Sequence, residues 1–333
     1  MKKYFPIILS CFCVFICSYI PDIQAQSIHF SQFYNQPLLI NPSLTGSDVD
    51  EYRVGVAYRS QRFSIPAPYN TVIASFDMPI LACKTENGYF GIGGMVYHDA
   101  SGDGALKESS GALSVAYHQS ISDWGLLSIG TQGGYTYKKA NFEKLTFAGG
   151  IVNFQINPNL PNNNPSISDN FSYFNAKFGL SNIVYLNEKS SFEVGGSYNH
   201  AFSSNHTFLT PEAEQNQFTG LWIGHLGGRF GIGEDISINP SIMRMGQADN
   251  KLTIVGASLG YHLDSNSMEG DAVYMGTWYR LDDAVVFLLG GKIGNISLSA
   301  TYDLNVSDLK TATGSQGAIE VSLVYRGLTK GCN

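Results

Sequence analysis

Arg53, Arg59 and Glu320 carry the clearest chemistry in this chain, and their spacing suits ion pairing rather than catalysis. Arg53 and Arg59 are an even number of residues apart and share a face opposite Tyr52, Val54, Val56 and Tyr58. Glu320 lies opposite Ile319, Val321, Leu323 and Tyr325 in the last extended stretch. Charges confined to the polar faces of two-faced strands are expected to meet inside a lumen and pair, because a buried charge left alone is costly. The other candidate chemistries lack their constellations. The seven histidines show no metal-ligand spacing, and Cys83 and Cys332 are the only thiols beyond the N-terminal leader, too few for a thiolate site. Gly91-Ile-Gly-Gly94 and Gly290-Gly291 sit within strand-like runs, where they read as close-packing positions rather than phosphate cradles. Asp99-Ala-Ser-Gly-Asp-Gly104 has the outline of a calcium loop without its closing Glu. No Gly-x-Ser-x-Gly elbow is present. We therefore expect no catalytic residues, no metal and no cofactor.

The elements that position the three charges are strands. Gly317-Ala-Ile-Glu-Val-Ser-Leu-Val-Tyr325 alternates apolar and polar side chains with a period of two, as an extended strand with two unlike faces does. In a membrane barrel the apolar face points into lipid and the polar face lines the interior. Fourteen such runs are legible: 52–63, 70–82, 87–98, 109–121, 124–139, 172–186, 191–203, 216–230, 234–248, 250–263, 270–282, 283–293, 294–304 and 316–326. The run 216–230 is blurred, since Leu221 and Ile223 on one face and Trp222 and Leu226 on the other are all apolar; it demands a bulge or a partly apolar lumen. The connections also mostly alternate: Cys83–Glu86, Ser122-Asp123, Asn187–Ser190, Gly231–Gly233 and the turn at Gly294 are short, whereas Asp99–Glu108, Ala140–Phe171, Ser204–Gln215 and Asn305–Ser315 are long; the exceptions are Asp264–Glu269, longer than the alternation expects, and the turns near Asp249 and at Asp282-Asp283, shorter than it expects. Barrels of outer membranes show this asymmetry, with the short turns on the periplasmic side.

Composition agrees with a membrane β-protein. Charged residues make up only 14%, against roughly 25% in soluble domains, while aromatics reach 13% and glycines number 36 of 333. Residues 1–25 read as a secretory signal, with Lys2 and Lys3 before an apolar stretch and Ile23-Gln24-Ala25 before the expected mature start at Gln26. No later segment has the 18 apolar residues in a row that a spanning helix needs. Without Lys2, Lys3 and Asp22 the 20 basic and 27 acidic residues fall to 18 and 26, a net charge of −8 that argues against a nucleic-acid partner. The expected organisation is a signal peptide at 1–25, an N-terminal arm or plug at 26–50, a transmembrane antiparallel all-β barrel of about 14 strands at 51–326, and a periplasmic tail at 327–333. The arm is expected to seal the periplasmic end of the lumen, with Phe30, Phe33, Tyr34 and Leu38 buried against the wall and Arg53 and Arg59 meeting carboxylates such as Glu320. In the oxidising periplasm, Cys83 beside strand two and Cys332 beyond strand fourteen are expected to form a disulfide at that rim.

The lead-in and first strands resemble a known family. The resemblance runs through Phe30-Ser-Gln-Phe-Tyr34, Pro37-Leu38, Asn41-Pro42 and Thr45-Gly46, then Tyr58-Arg59, Gln61, Pro68-Tyr69, Thr71, Ser75 and Asp77, and on to Asp99–Leu106 and Tyr302-Asp303-Leu304. These match the PorP/SprF outer-membrane proteins of the Bacteroidetes type IX secretion system. Ser43 and Arg62 depart from the family pattern, which has Ala and Trp there. The resemblance implies an outer-membrane location among outer-membrane lipid, work with the secretion and gliding machinery, and a secreted adhesin-like cargo held through its C-terminal domain, the long loops 140–171 and 204–215 being the expected docking surface. It implies contact with periplasmic components too, for which the arm residues Phe30, Gln32, Phe33, Tyr34, Pro37, Leu38, Asn41 and Pro42 are the candidates. A reading of a different class is a passive channel for small or hydrophobic solutes with the arm as its hatch.

Overall fold

The computed structural model describes residues 28–61, 69–81, 88–102, 106–121, 124–141, 151–152, 155–156, 169–200, 220–263, 270–307 and 314–329. Fourteen antiparallel strands close a barrel, β1 (Glu51–Gln61), β2 (Tyr69–Ile80), β3 (Gly88–Ser101), β4 (Leu106–Ser120), β5 (Gly125–Ala140), β6 (Asn170–Asn187) and β7 (Ser190–Asn199) forming the first half. The second half is β8 (Leu221–Ile232), β9 (Ile236–Gln247), β10 (Asn250–His262), β11 (Ala272–Arg280), β12 (Ala284–Ile293), β13 (Ile296–Asn305) and β14 (Gln316–Leu328). Each strand pairs with its neighbours in sequence, and β14 closes on β1 through the register Arg59↔Glu320 and Arg53↔Arg326. The long connection after β5 also carries a small hairpin, Ile151–Val152 paired with Gln155–Ile156, which the Asn- and Pro-rich sequence there did not announce. Cys83 and Cys332 lie outside the described residues, as does most of both long loops.

Side-chain alternation explains the closure. Val54, Val56, Leu113, Val115, Val321 and Leu323 all stand exposed on the outer wall, while Ala57, Arg59, Ser114, Glu320 and Ser322 on the same strands are buried inside. A cylinder whose outer surface is apolar and whose inner surface is polar is stable in lipid only when no edge is left unpaired. Register shifts interrupt β13/β14 between Tyr302 and Leu304, and β6/β7 between Tyr185 and Asn187. The blurred strand β8 keeps a regular register on both sides, so the second of the two options holds: Leu221 and Ile223 face an apolar part of the lumen with Met243, Met245, Leu252, Ile254, Trp278, Val286 and Leu288, and Trp222 faces out. Replacing Leu113, 75% exposed on the outer wall, by arginine is expected to cost about 2–4 kcal/mol if it lies at the bilayer midplane, read as a lowered urea midpoint in lipid vesicles.

Candidate functional site: the arm inside the lumen

The lumen holds residues 28–46, and 47–50 lead out to β1. After Phe33–Asn35 forms a single tight turn, Pro37 opens the four-residue helical turn α1 (Pro37–Ile40), and Pro42–Leu44 makes another tight turn. Proline suits the first helical position because its missing N–H would have no partner there. The last carbonyls of so short a helix need partners from elsewhere. The wall supplies them: Gln132 Nε2 donates to Leu38 O at 3.2 Å, Lys177 Nζ donates to Leu39 O, and Ser197 Oγ donates to Ile40 O at 2.6 Å.

Two apolar seats flank the arm. Phe30 and Leu38 pack on Ala57, Ile73, Met95 and Ala112 of β1–β4, whereas Phe33 and Ile40 face the apolar patch of β8–β12. Fully burying a side chain of this size is worth about 1.5–3 kcal/mol. Tyr34 is 38% exposed, and its ring lies against Trp278 at 5.3 Å. The arm therefore has an apolar anchor on either side and a polar spine between.

Polar fasteners sit at both ends and in the middle of the arm. Near the long-loop end, Arg59 pairs with Glu320 and reaches Asp303 at 3.3 Å, and Arg280 reaches Asp303 at 2.9 Å and pairs with Asp283. Ser31 closes the cluster: its N–H donates to Glu320 at 2.6 Å, its hydroxyl reaches Asp303 at 3.1 Å, and both arginines donate to that hydroxyl at about 3 Å. Gln32 N–H takes the other Glu320 oxygen at 3.0 Å, and Ser299 Oγ donates to Gln32 Oε1 at 2.6 Å. Midway, Asn41 donates to the carbonyls of Leu180 at 3.1 Å and Gly196 at 3.2 Å and contacts His225 Nε2 at 3.0 Å, while its Oδ1 accepts from Ser43 N–H and hydroxyl. With Nε2 accepting, His225 Nδ1–H faces Glu193 at 3.0 Å. At the opposite end, Asp77 takes Arg53 in a two-pronged pair at 2.9 and 2.8 Å and also accepts Gly46 N–H at 2.7 Å. His118 Nε2–H donates to Thr45 O at 2.8 Å, and Ser128 Oγ donates to His118 Nδ1 at 2.7 Å.

Glycines make room for this path. Side chains on Gly91, Gly130 and Gly179 would overlap Thr45 O, the Pro42 carbonyl and Asn41 Oδ1 respectively, so the wall is hollowed where Asn41–Thr45 crosses it. Gly46 turns the chain toward β1 with φ of +61°, beside Met78 O, a conformation and a clearance that favour glycine. Asn41→Ala removes one acceptor and two donors from a buried spine and is expected to lower unfolding stability by about 2–3 kcal/mol in micelle denaturation, at about 1 kcal/mol for each net hydrogen bond lost.

The residues singled out from sequence thus meet in part. Arg59 and Glu320 do pair across the closing seam. Arg53 goes instead to Asp77 on β2, because Glu320 lies six residues along β14 from its partner position Arg326, about 20 Å away at strand rise. The arm does not sit at one end only: Ser31 and Gln32 are fastened near the long-loop end, and Thr45 and Gly46 near the other, so the arm runs the length of the lumen. Phe30, Gln32, Phe33, Pro37, Leu38, Asn41 and Pro42 are buried, whereas Tyr34 is partly exposed in the lumen. Asp77, Asp303, Arg280, Ser31, His118 and Lys177 were not singled out from sequence as fasteners; all but Ser31, which lies in the arm, are polar residues at inward positions of two-faced strands, and Ser31, Asp77 and Asp303 also fall within the family resemblance.

Residues 23–325 match the family described as "Type IX secretion system membrane protein PorP/SprF". Among solved structures, the fold is similar to the toluene transporter TbuX of Ralstonia pickettii (TM-score 0.51, 10% identity, 88% of this chain and 93% of that one). It is likewise similar to the toluene transporter TodX of P. putida (TM-score 0.53, 10% identity, 89% and 94%) and to the CymD monoaromatic hydrocarbon channel (TM-score 0.51, 11% identity, 90% and 94%). At these identities the likeness concerns the barrel. No curated protein matches the sequence.

Proposed function

The chain belongs to the PorP/SprF family of type IX secretion system outer-membrane proteins, and from that premise we propose that it is a non-enzymatic barrel that helps export or anchor a particular secreted, adhesin-like protein at the cell surface. The observation that carries the reading is the arm, fastened along the lumen by β1, β2, β4–β8, β11, β13 and β14. A barrel whose interior is taken up by its own chain works through its ends. The long-loop end, with the connections after β5 and β7, would meet the C-terminal domain of the cargo, since exposed loops on a rigid scaffold are where recognition concentrates. The opposite end, where Thr45 and Gly46 emerge beside Asp77, would meet periplasmic secretion components. The test is affinity capture of the tagged full-length chain from detergent-solubilised envelopes. A secreted protein with its C-terminal domain is expected with the intact chain and is expected to be lost on deleting 155–168; full retention by the deletion would remove that loop from the docking surface.

A second reading is a channel for small hydrophobic solutes. It is favoured by the apolar lumen patch around Met243, Ile254 and Trp278, and by the similarity of the fold to a toluene transporter and a monoaromatic hydrocarbon channel. Solute flux separates the two readings.

A further inference from the structure

On the outer wall, the strands β2–β5 form a notch of about 480 Å³ near their long-loop ends. Register builds it from two adjacent rows of outward side chains. Ala74, Val96, Gly111 and Tyr135 lie opposite one another in the first row, and Val72, His98, Ser109 and Tyr137 in the second. Small residues make the floor and large ones the walls. The floor is open at Gly111, where an added methyl group would meet only Val96 Cγ1, at 3.7 Å. The walls, Val72, Val96, Tyr135 and Tyr137, are apolar or aromatic and exposed.

One row further toward the loops, about 7 Å along the strands, Lys107 of β4 stands directly opposite Lys139 of β5, both outward and exposed. Like charges facing across a strand pair repel. The neighbouring inward pair shows the contrast: Lys138 binds Glu108 at 2.7 Å. Among the described residues, Lys107 and Lys139 have no carboxylate within ion-pair reach. An apolar notch in the outward wall, topped on its loop side by two cations, is complementary to a ligand with an acyl chain and a phosphate. The long-loop end of an outer-membrane barrel faces the outer leaflet. We propose that this notch is a binding site for one phosphorylated, acylated glycolipid of the outer leaflet, its chain lying over Gly111 between Val96 and Tyr135 and its phosphate held by Lys107 and Lys139.

The test is native mass spectrometry of the full-length chain in non-ionic detergent, titrated with diphosphoryl lipid A, with phosphatidylethanolamine, or with inorganic phosphate. Lipid A is expected to bind at least tenfold more tightly than phosphatidylethanolamine. The K107Q/K139Q chain is expected to lose about 10- to 30-fold of that affinity, each lysine near an anionic lipid surface contributing about 1 kcal/mol. Gly111→Phe fills the notch and is expected to weaken lipid A binding with both lysines present. Heat-modifiable gel migration checks that each variant is folded; all three positions face out of the barrel. Equal binding of phosphatidylethanolamine, unchanged lipid A affinity in K107Q/K139Q, or inorganic phosphate competing fully for the site would each overturn the proposal.

Discussion

Replacing Glu320 by alanine is expected to lower the stability of the folded barrel by about 3 kcal/mol, because the substitution leaves the buried Arg59 with a single carboxylate, Asp303, which it shares with Arg280. The loss extends to the arm, since Ser31 and Gln32 both give their N–H groups to Glu320. Urea unfolding in phospholipid micelles reads the effect as a lower midpoint. Replacing both members of the pair, Arg59→Met with Glu320→Met, removes the two charges together and is expected to cost less than Glu320→Ala alone, as it does when hydrophobic residues take the place of a buried ion pair. A double variant less stable than the single would show that the pair is held by attraction alone and that desolvation matters little here.

The second large effect is expected from filling the hollows under the arm. Leucines at Gly91 and Gly130 would overlap the backbone at Thr45 and Pro42, and a backbone cannot be turned aside as a flexible side chain can. The strands keep their own ladders, because both positions have extended partners on both sides. The G91L/G130L chain is expected to fold as a barrel with the arm driven out of its seat, so that protease cleaves within residues 28–46 at least tenfold faster than in the unsubstituted chain. Equal protection of the arm in both would mean that the seat yields and that the glycines do not define it.

The barrel was legible because its signal is local. Val321 and Leu323 against Glu320 and Ser322 announce a two-faced strand without reference to anything else, and fourteen such stretches with mostly alternating short and long connections favour a closed cylinder. The Arg59–Glu320 pair was legible for a related reason, since the first and last strands of a closed sheet must be neighbours. The path of the arm was not. Its residues have no period, and its course is set by features that matter only in three dimensions: the hollows at Gly91, Gly130 and Gly179, and side chains such as Gln132, Lys177 and Ser197 on three different strands that converge on one helical turn. The Arg280–Asp303 pair escaped notice likewise, because the two residues sit on strands β11 and β13, which are not paired with each other and meet only over the intervening strand β12. The sequence placed both on polar faces; it carried no information that they face each other.

We propose a lumen that seats the arm rather than one that passes solute. The most direct measurement is the entry of glucose and of small ions into liposomes carrying the full-length chain, with G91L/G130L liposomes as the reference for an emptied lumen. Entry for the unsubstituted chain is expected to equal that of protein-free liposomes, while the variant conducts. Rapid entry of either solute through the unsubstituted chain, at a rate close to the variant's, would contradict the account and favour the channel.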